Sequence, residues 1–197
     1  MRVKVVFSLC WLFSIPLIGW GQLTGVFYDS RDGSEYETVF IEVKLEDGTP
    51  TLMEWMSTNL NYDMDGSYCY NDYPEYCHVF GRLYSWKSAT AACPSGWHLP
   101  RTFEWELVMA KYGGKSKTGP AIKEGGESGL ALKPAGFGEP NGAYIDIGVD
   151  GYYWKRDDQS LDSPGTITIH SGVNYITDDK VDATHHNSIR CVRDHKK

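Results

Sequence analysis

The chain has little positive charge: 19 lysines and arginines stand against 26 acids in 197 residues, a formal net charge of −7. No basic cluster interrupts that balance, which excludes a nucleic-acid binder. Past its first two dozen residues the chain lacks any apolar run approaching the roughly 20 residues that span a bilayer, so no membrane span is expected in its body. Long aliphatic runs are few. Tyr (13), Trp (7) and Gly (21) take their place, which points to irregular, loop-rich α+β structure. There is no linker and no internal repeat, so residues 22–197 read as one domain with a single core.

What the chain does have begins with Arg2 and Lys4 ahead of an apolar run from Val5 to Ile18, followed by Gly19-Trp20-Gly21. That order reads as a secretory signal peptide over residues 1–21. Its apolar part, about 14 residues, is too short to span a bilayer. Cys10 lies inside that run and is expected to leave with it. Removal takes the cations from 19 to 17 against 26 acids, a net charge of −9. The product is expected in the periplasm, on the outer-membrane surface or outside the cell.

Four cysteines remain: Cys69, Cys77, Cys93 and Cys191. In an exported chain an even number points to bridges, and four allow three pairings. Cys69 and Cys77 flank "YNDYPEY", so pairing them closes a short polar turn and leaves Cys93 to join Cys191 across most of the domain. A four-thiolate zinc site is the rival, although its usual two-to-four-residue spacers are missing.

From Val26 to Met56, "TVFIEV" and "TLMEWM" alternate between turn clusters, which predicts strands and a β-hairpin. Residues 61–80, rich in Asn, Asp and Tyr, read as loop. Within it Asp63-x-Asp65-Gly66 lacks the spacing and final Glu of an EF-hand, so a solvated turn is expected. Leu83, Trp86, Thr90 and Cys93 recur at helical spacing until Pro94 and Gly96 halt them. Thr102 is placed to cap a second helix, with Glu104 in its first turn and Trp105, Val108, Met109 and Tyr112 as its apolar stripe before Gly113-Gly114. Gly113 to Gly129 reads as a mobile loop. After it "LALKPAGF", "AYIDIGV", "GYYWK", "TITIH", "VNYIT" and "IRCVR" read as short strands.

No residue set stands out as catalytic, and none as a metal site. His98, between Trp97 and Leu99, reads as a structural histidine, because no Ser, Cys or acid is set beside it by motif. His185-His186 are adjacent and so face opposite sides of any strand, which argues against one shared metal and for a solvated turn or strand edge. Tyr68, Tyr70, Tyr73, Tyr76, Tyr152, Tyr153 and Trp154 can stack on a ligand or anchor a partner, yet most are expected to build the interior of a domain short of aliphatics.

The order "DSRDGSEYETVFI", "STNLNY", "FGRLYSWKSATAACPSGWHLP", "IKEGGESGLALKPAGF", "GYYW" and terminal "IRCVRD" resembles the Fibrobacter succinogenes major paralogous domain family, over nearly all of Asp29 to Asp194. "ACPSGWHLP" with a late "RCVRD" is the specific part. The resemblance implies a C-type lectin-like fold, distantly similar to sulfatase-modifying factor domains: two helices flanking small antiparallel sheets, tied by disulfides, with the chain ends together. The chain departs from the family pattern in being short at Glu124–Gly129 and in carrying Trp154-Lys155-Arg156 where members have Trp-Ser-Ser.

Glu139-Pro140-Asn141 is similar to the tripeptide with which mannose-type C-type lectins hold calcium and a sugar, although the following Trp-Asn-Asp is absent. The candidate ligand-binding residues are therefore Glu139, Asn141, Tyr152, Tyr153 and Trp154, with calcium the one cofactor the resemblance brings in. The expected function is that of a secreted, non-catalytic binding or structural module presenting loops 61–80 and 113–165 to a protein partner at the bacterial envelope. A carbohydrate-binding module is the alternative. An oxidase-like enzyme, the third reading, would need a free pair of reactive thiols.

Overall fold

β-branched and aromatic residues alternate with turn formers through the first third of the chain. The computed structural model, which describes residues 22–160 and 162–195, has three antiparallel strands there. They are β1 (Thr24–Tyr28), β2 (Glu35–Lys44) and β3 (Pro50–Met56). The leader read at 1–21 lies outside the described residues. Val39, Ile41 and Val43 of β2 are buried on one face, as their period-2 spacing requires. Asp47-Gly48 turns the chain into β3, with the Leu45 amide donating to Thr49 O at 2.9 Å.

Next come β4 (Ser67–Tyr68), a 3₁₀ turn (Tyr70–Asp72), α1 (Pro74–Phe80), β5 (Leu83–Ser85) and α2 (Trp86–Ala92). α3 (Thr102–Lys111) and the single turn α4 (Gly119–Ile122) follow. The rest is strand: β6 (Ala135–Gly138), β7 (Tyr144–Ile147), β8 (Asp150–Arg156), β9 (Pro164–His170), β10 (Ile176–Lys180), β11 (His186–Ser188) and β12 (Val192–His195).

β12 returns to pair with β3, giving a four-stranded sheet in the order β1-β2-β3-β12 that brings the two ends of the domain together. The other sheet runs β10-β9-β8-β6-β11-β5-β4, with β7 hung on β6. Most of its pairings are antiparallel; β8 meets β6 and β11 in parallel. The chain is thus a mixed α and β fold with few, short helices. Its larger sheet has eight strands, so the expectation of small sheets is corrected.

Aromatic rings fill the interior. Trp55 and Trp105 pack with ring centroids 4.7 Å apart, among Val108, Ile122, Leu132, Ile167 and Val192. A second cluster gathers Tyr84, Trp86, Trp97 and Trp154 around Ile189 and Cys191. Both disulfides form as the flanking turns suggest: Cys69–Cys77, with Cα atoms 5.0 Å apart, and Cys93–Cys191, with 5.8 Å. The second ties the end of α2 to the residue before β12. No helix of the described residues is long and apolar enough to cross a membrane.

Four local expectations are overturned. The first helix begins at Trp86, because Leu83–Ser85 pair with β4 and β11 and the Ser85 hydroxyl accepts from the Ser88 amide at the new N-terminus. Thr102 does not cap α3: Glu104 reaches back to the Arg101 amide at 2.7 Å, while the Thr102 hydroxyl donates to Arg156 O. Residues 61–80 are not all loop, since Pro74, fixed in φ, opens α1. Nor is 113–129 a mobile loop. Thr118, Ala121, Ile122 and Ser128 are buried there, and the Gly119 amide donates to Asn174 O at 2.9 Å.

Candidate functional site

Two neighbouring features converge on one face. The first is the segment closed by Cys69–Cys77. Tyr68 leads into it from β4, and the following turn carries Asn71 at φ 53° and Asp72 at φ 58°, a left-handed pair that Asn and Asp tolerate better than other side chains. The second is the hairpin of β6 and β7, whose tip Glu139–Ala143 is closed by the Glu139 amide donating to Ala143 O at 2.8 Å.

Between them lies β11. His186 pairs with Ser85 on one side and Gly138 on the other. A Cβ at Gly138 would stand 3.1 Å from His186 Nδ1 and 3.4 Å from the Tyr144 ring, so glycine there lets both rings approach. The sequence expectation of a solvated turn or strand edge for His186 is therefore corrected: it sits inside the eight-stranded sheet, half-buried.

The result is a cleft of about 200 Å³ lined by Tyr68, Asp72, Glu139, Pro140, Tyr144 and His186. The Tyr68 and His186 rings pack at a tilt of 50° with centroids 4.5 Å apart. Burial, and then the neighbouring His185, pushes the His186 imidazole below its ordinary pKa, favouring the neutral ring. Tyr144 donates its hydroxyl to Asp72 Oδ1 at 2.9 Å. Burial, reinforced by that carboxylate, drives its phenol well above the usual range, so it stays a donor. Glu139 Oε2 accepts from Asn141 Nδ2 at 2.9 Å. The walls thus carry two carboxylates, two phenols and one imidazole, and no lysine or arginine.

Of the candidates read from the sequence, Glu139 lines this cleft, and Asn141 stands beside it at the hairpin tip, bonded to Glu139. They do not fit calcium. They offer three side-chain oxygens toward a cation that takes six to eight, and two of these are already engaged: Glu139 Oε2 by the Asn141 amide group and Asn141 Oδ1 by the Ala143 amide at 2.8 Å. Among the described residues no group of three His, Cys, Asp or Glu could hold a metal ion. Asp63 and Asp65 fit the expectation of a turn, with Asp63 paired to Arg82 at 2.6 Å.

Tyr153 and Trp154 are corrected: both are fully buried and cannot meet a ligand. Tyr153 donates to Lys133 O at 2.8 Å, and Trp154 Nε1 donates to Tyr84 O at 2.6 Å. Tyr152 lies outside the cleft, edge-on to Phe137 and bonded to Asp146 Oδ2 at 2.8 Å. The departure at Lys155-Arg156 serves packing. Lys155, buried, holds Asp178 Oδ1 at 2.8 Å and Thr102, while Arg156 donates to Thr90 O.

His98 has an acid beside it after all. Its Nε2 lies 2.6 Å from Oε1 of Glu104, whose other oxygen caps α3. The backbone of His98 also bridges Val192 of β12 in both directions, at 2.9 and 3.0 Å. This pair joins the "WHLP" connector to the closing strand; the ring is hydrogen-bonded but one-third exposed, so the expectation of a His with no acid beside it is corrected. The signal that could have found its partner was Glu104 three residues into a helix start.

Sequence reasoning missed Asp72, Tyr144 and His186 as one group. They lie in three segments up to 114 residues apart by their numbering, and only sheet pairing gathers them. Comparison with protein-family models matches residues 40–193 to the Fibrobacter succinogenes major domain. No curated protein and no solved structure matches the chain.

Proposed function

The chain belongs to the Fibrobacter succinogenes major domain family, and from that premise we propose that it is a secreted, non-catalytic binding module on a C-type lectin-like scaffold. Its working face is the Tyr68–Asp72–Tyr144–His186 cleft with Tyr73, which precedes α1, and its partner is a protein at the bacterial envelope. The observation that carries this reading is the cleft itself, where the Tyr68 ring is held open to solvent, 37% exposed, with Tyr73, 55% exposed, close by at the start of α1. Exposed Tyr is the residue type that anchors partners at low entropic cost. Two disulfides suit an oxidising compartment, and all four cysteines of the described residues are held in them. Both elements flanking the cleft are braced, one by Cys69–Cys77 and one by sheet pairing, which limits the ordering cost of binding.

The test is a photo-cross-linking side chain placed at Tyr73 and exposed to envelope extract of the producing cells. One adduct of defined mass, lost when Tyr68→Ala is added, is expected. Adducts that form instead from a position on the opposite sheet edge, such as Asp179, would place the working face elsewhere. A glycan is the second reading, favoured by Glu139 lying beside the Tyr68 and Tyr144 rings. Sugar binding that EDTA leaves intact and Tyr68→Ala abolishes would replace the protein partner.

A further inference from the structure

We propose that the cleft at Tyr68, Asp72, Glu139, Tyr144 and His186 receives the guanidinium of an arginine on the partner polypeptide. This rests on the reading of that face as a protein-binding surface and specifies what it recognises. The walls supply an aromatic face and two carboxylates, the two kinds of group that attract a planar cation. Among the described residues Asp72 and Glu139 have no lysine or arginine within ion-pair distance, and their side-chain partners are the neutral donors Tyr144 and Asn141.

The molecule uses the same chemistry twice for its own arginines. Arg31 lies 3.8 Å over the Tyr62 ring while its guanidinium forks onto Asp29 at 2.6 to 3.1 Å. Arg193 lies 4.5 Å over the Trp97 ring while Nε donates to Glu54 at 2.7 Å. In each case a carboxylate and at least one ring flank the cation, Arg193 having Phe27 at 5.9 Å as a second ring. The cleft repeats the ring and the carboxylates, doubles the acid, and leaves the cation's place open in about 200 Å³. No arginine of the described residues lines it. Lysine fits less well, because its ammonium is a compact, strongly hydrated point charge that neither stacks nor forks.

The test follows the ring signals of the protein by NMR during titration with acetyl-Gly-Arg-Gly-amide. Its citrulline counterpart, equal in shape and uncharged, and its lysine counterpart serve as controls. The arginine peptide is expected to shift the signals of Tyr68, Tyr144 and His186 saturably, with the citrulline peptide at least about tenfold weaker and the lysine peptide between them. Glu139→Gln and Asp72→Asn should each weaken arginine binding about threefold, and added salt should weaken it further. Because the citrulline control needs no variant, a misfolded mutant cannot disguise the answer.

Citrulline or lysine binding as well as arginine would overturn the assignment, as would methyl hexosides moving the same signals while arginine does not. If the peptides fail while the cross-link from Tyr73 persists, arginine recognition falls and the binding face stands. If both fail, both fall.

Discussion

Arg190 donates from Nη2 to Asn59 Oδ1 at 2.6 Å in the interior of the protein, linking residues 131 apart in sequence. Arg190 is 1% exposed, and the other acceptors its guanidinium reaches are the carbonyls of Met56, Leu130 and Ala131. Neutral oxygens therefore hold a buried cation, at a junction of the β3 end, the 130s segment and the strand before Cys191.

That junction should be costly to dismantle. Arg190→Met leaves three carbonyls and an amide without their donor, and an expected loss of about 3 kcal/mol or more follows from leaving such groups unpaired. Arg190→Lys, which keeps the charge and loses the fork, should recover only part of it. Urea unfolding with the disulfides intact measures both; a Met variant within about 1 kcal/mol of the parent would refute the role.

The two bridges should differ in worth. Cys93–Cys191 spans 98 residues and Cys69–Cys77 spans 8. Loop-closure entropy then gives about 4–5 kcal/mol for the long bridge and about 2.5 for the short one. Serine pairs at each site, compared by denaturant midpoint, are expected in that order. The reverse order would mean that the short loop carries native interactions the bridge alone maintains.

Acid should weaken the fold in two stages. His186 has a folded pKa below its unfolded value, chiefly through burial. The unfolded chain therefore binds the proton more readily, and the stability this group contributes is present above about pH 6.5 and lost as pH falls through the folded value. Asp29 is held low by the Arg31 side chain. Its contribution is present above about pH 3.9 and lost on further acidification. His186→Asn should flatten stability between pH 7.5 and 5, two settings of the experiment that bracket the unfolded His pKa of about 6.5, and Arg31→Met should flatten it below about pH 4. Unfolding curves across that range that keep their slope in the variants would show other groups responsible.

The neighbouring aromatics read together from the sequence should separate cleanly by experiment. Trp154→Ala removes a fully buried ring that packs on Trp86 at 5.3 Å, for an expected loss of about 3–5 kcal/mol. Tyr68→Ala, at the cleft mouth, should lose less than about 1 kcal/mol and instead abolish binding. Thermal melts of the two variants decide it; equal losses would place Tyr68 in the structural core.

Several elements were legible because their causes are local. The alternation of Val39, Ile41 and Val43 gave β2 its buried face, Gly113-Gly114 ended α3, and the turn between Cys69 and Cys77 pointed to the short bridge. The helix expected from Leu83 failed for a non-local reason: β4 and β11 offered three residues a sheet edge, and pairing there outweighed helical spacing. The glycines of 113–129 looked like freedom and served close packing instead. A Cβ at Gly126 would lie 2.3 Å from Ala121 O.

By itself the sequence determined the compositional class, the pairing-ready cysteines, the family and the aromatic character of the interior, since each is carried by residue identity or short spacing. Which rings became interior and which became surface was decided only by tertiary structure. Tyr152, Tyr153 and Trp154 are consecutive, yet the pleat and the layers above it send two to the core and one to a rim. Asp72, Tyr144 and His186 acquired a common cleft only when β11 slid between β5 and β6, because side chains distant in the chain meet through backbone pairing that no one segment specifies.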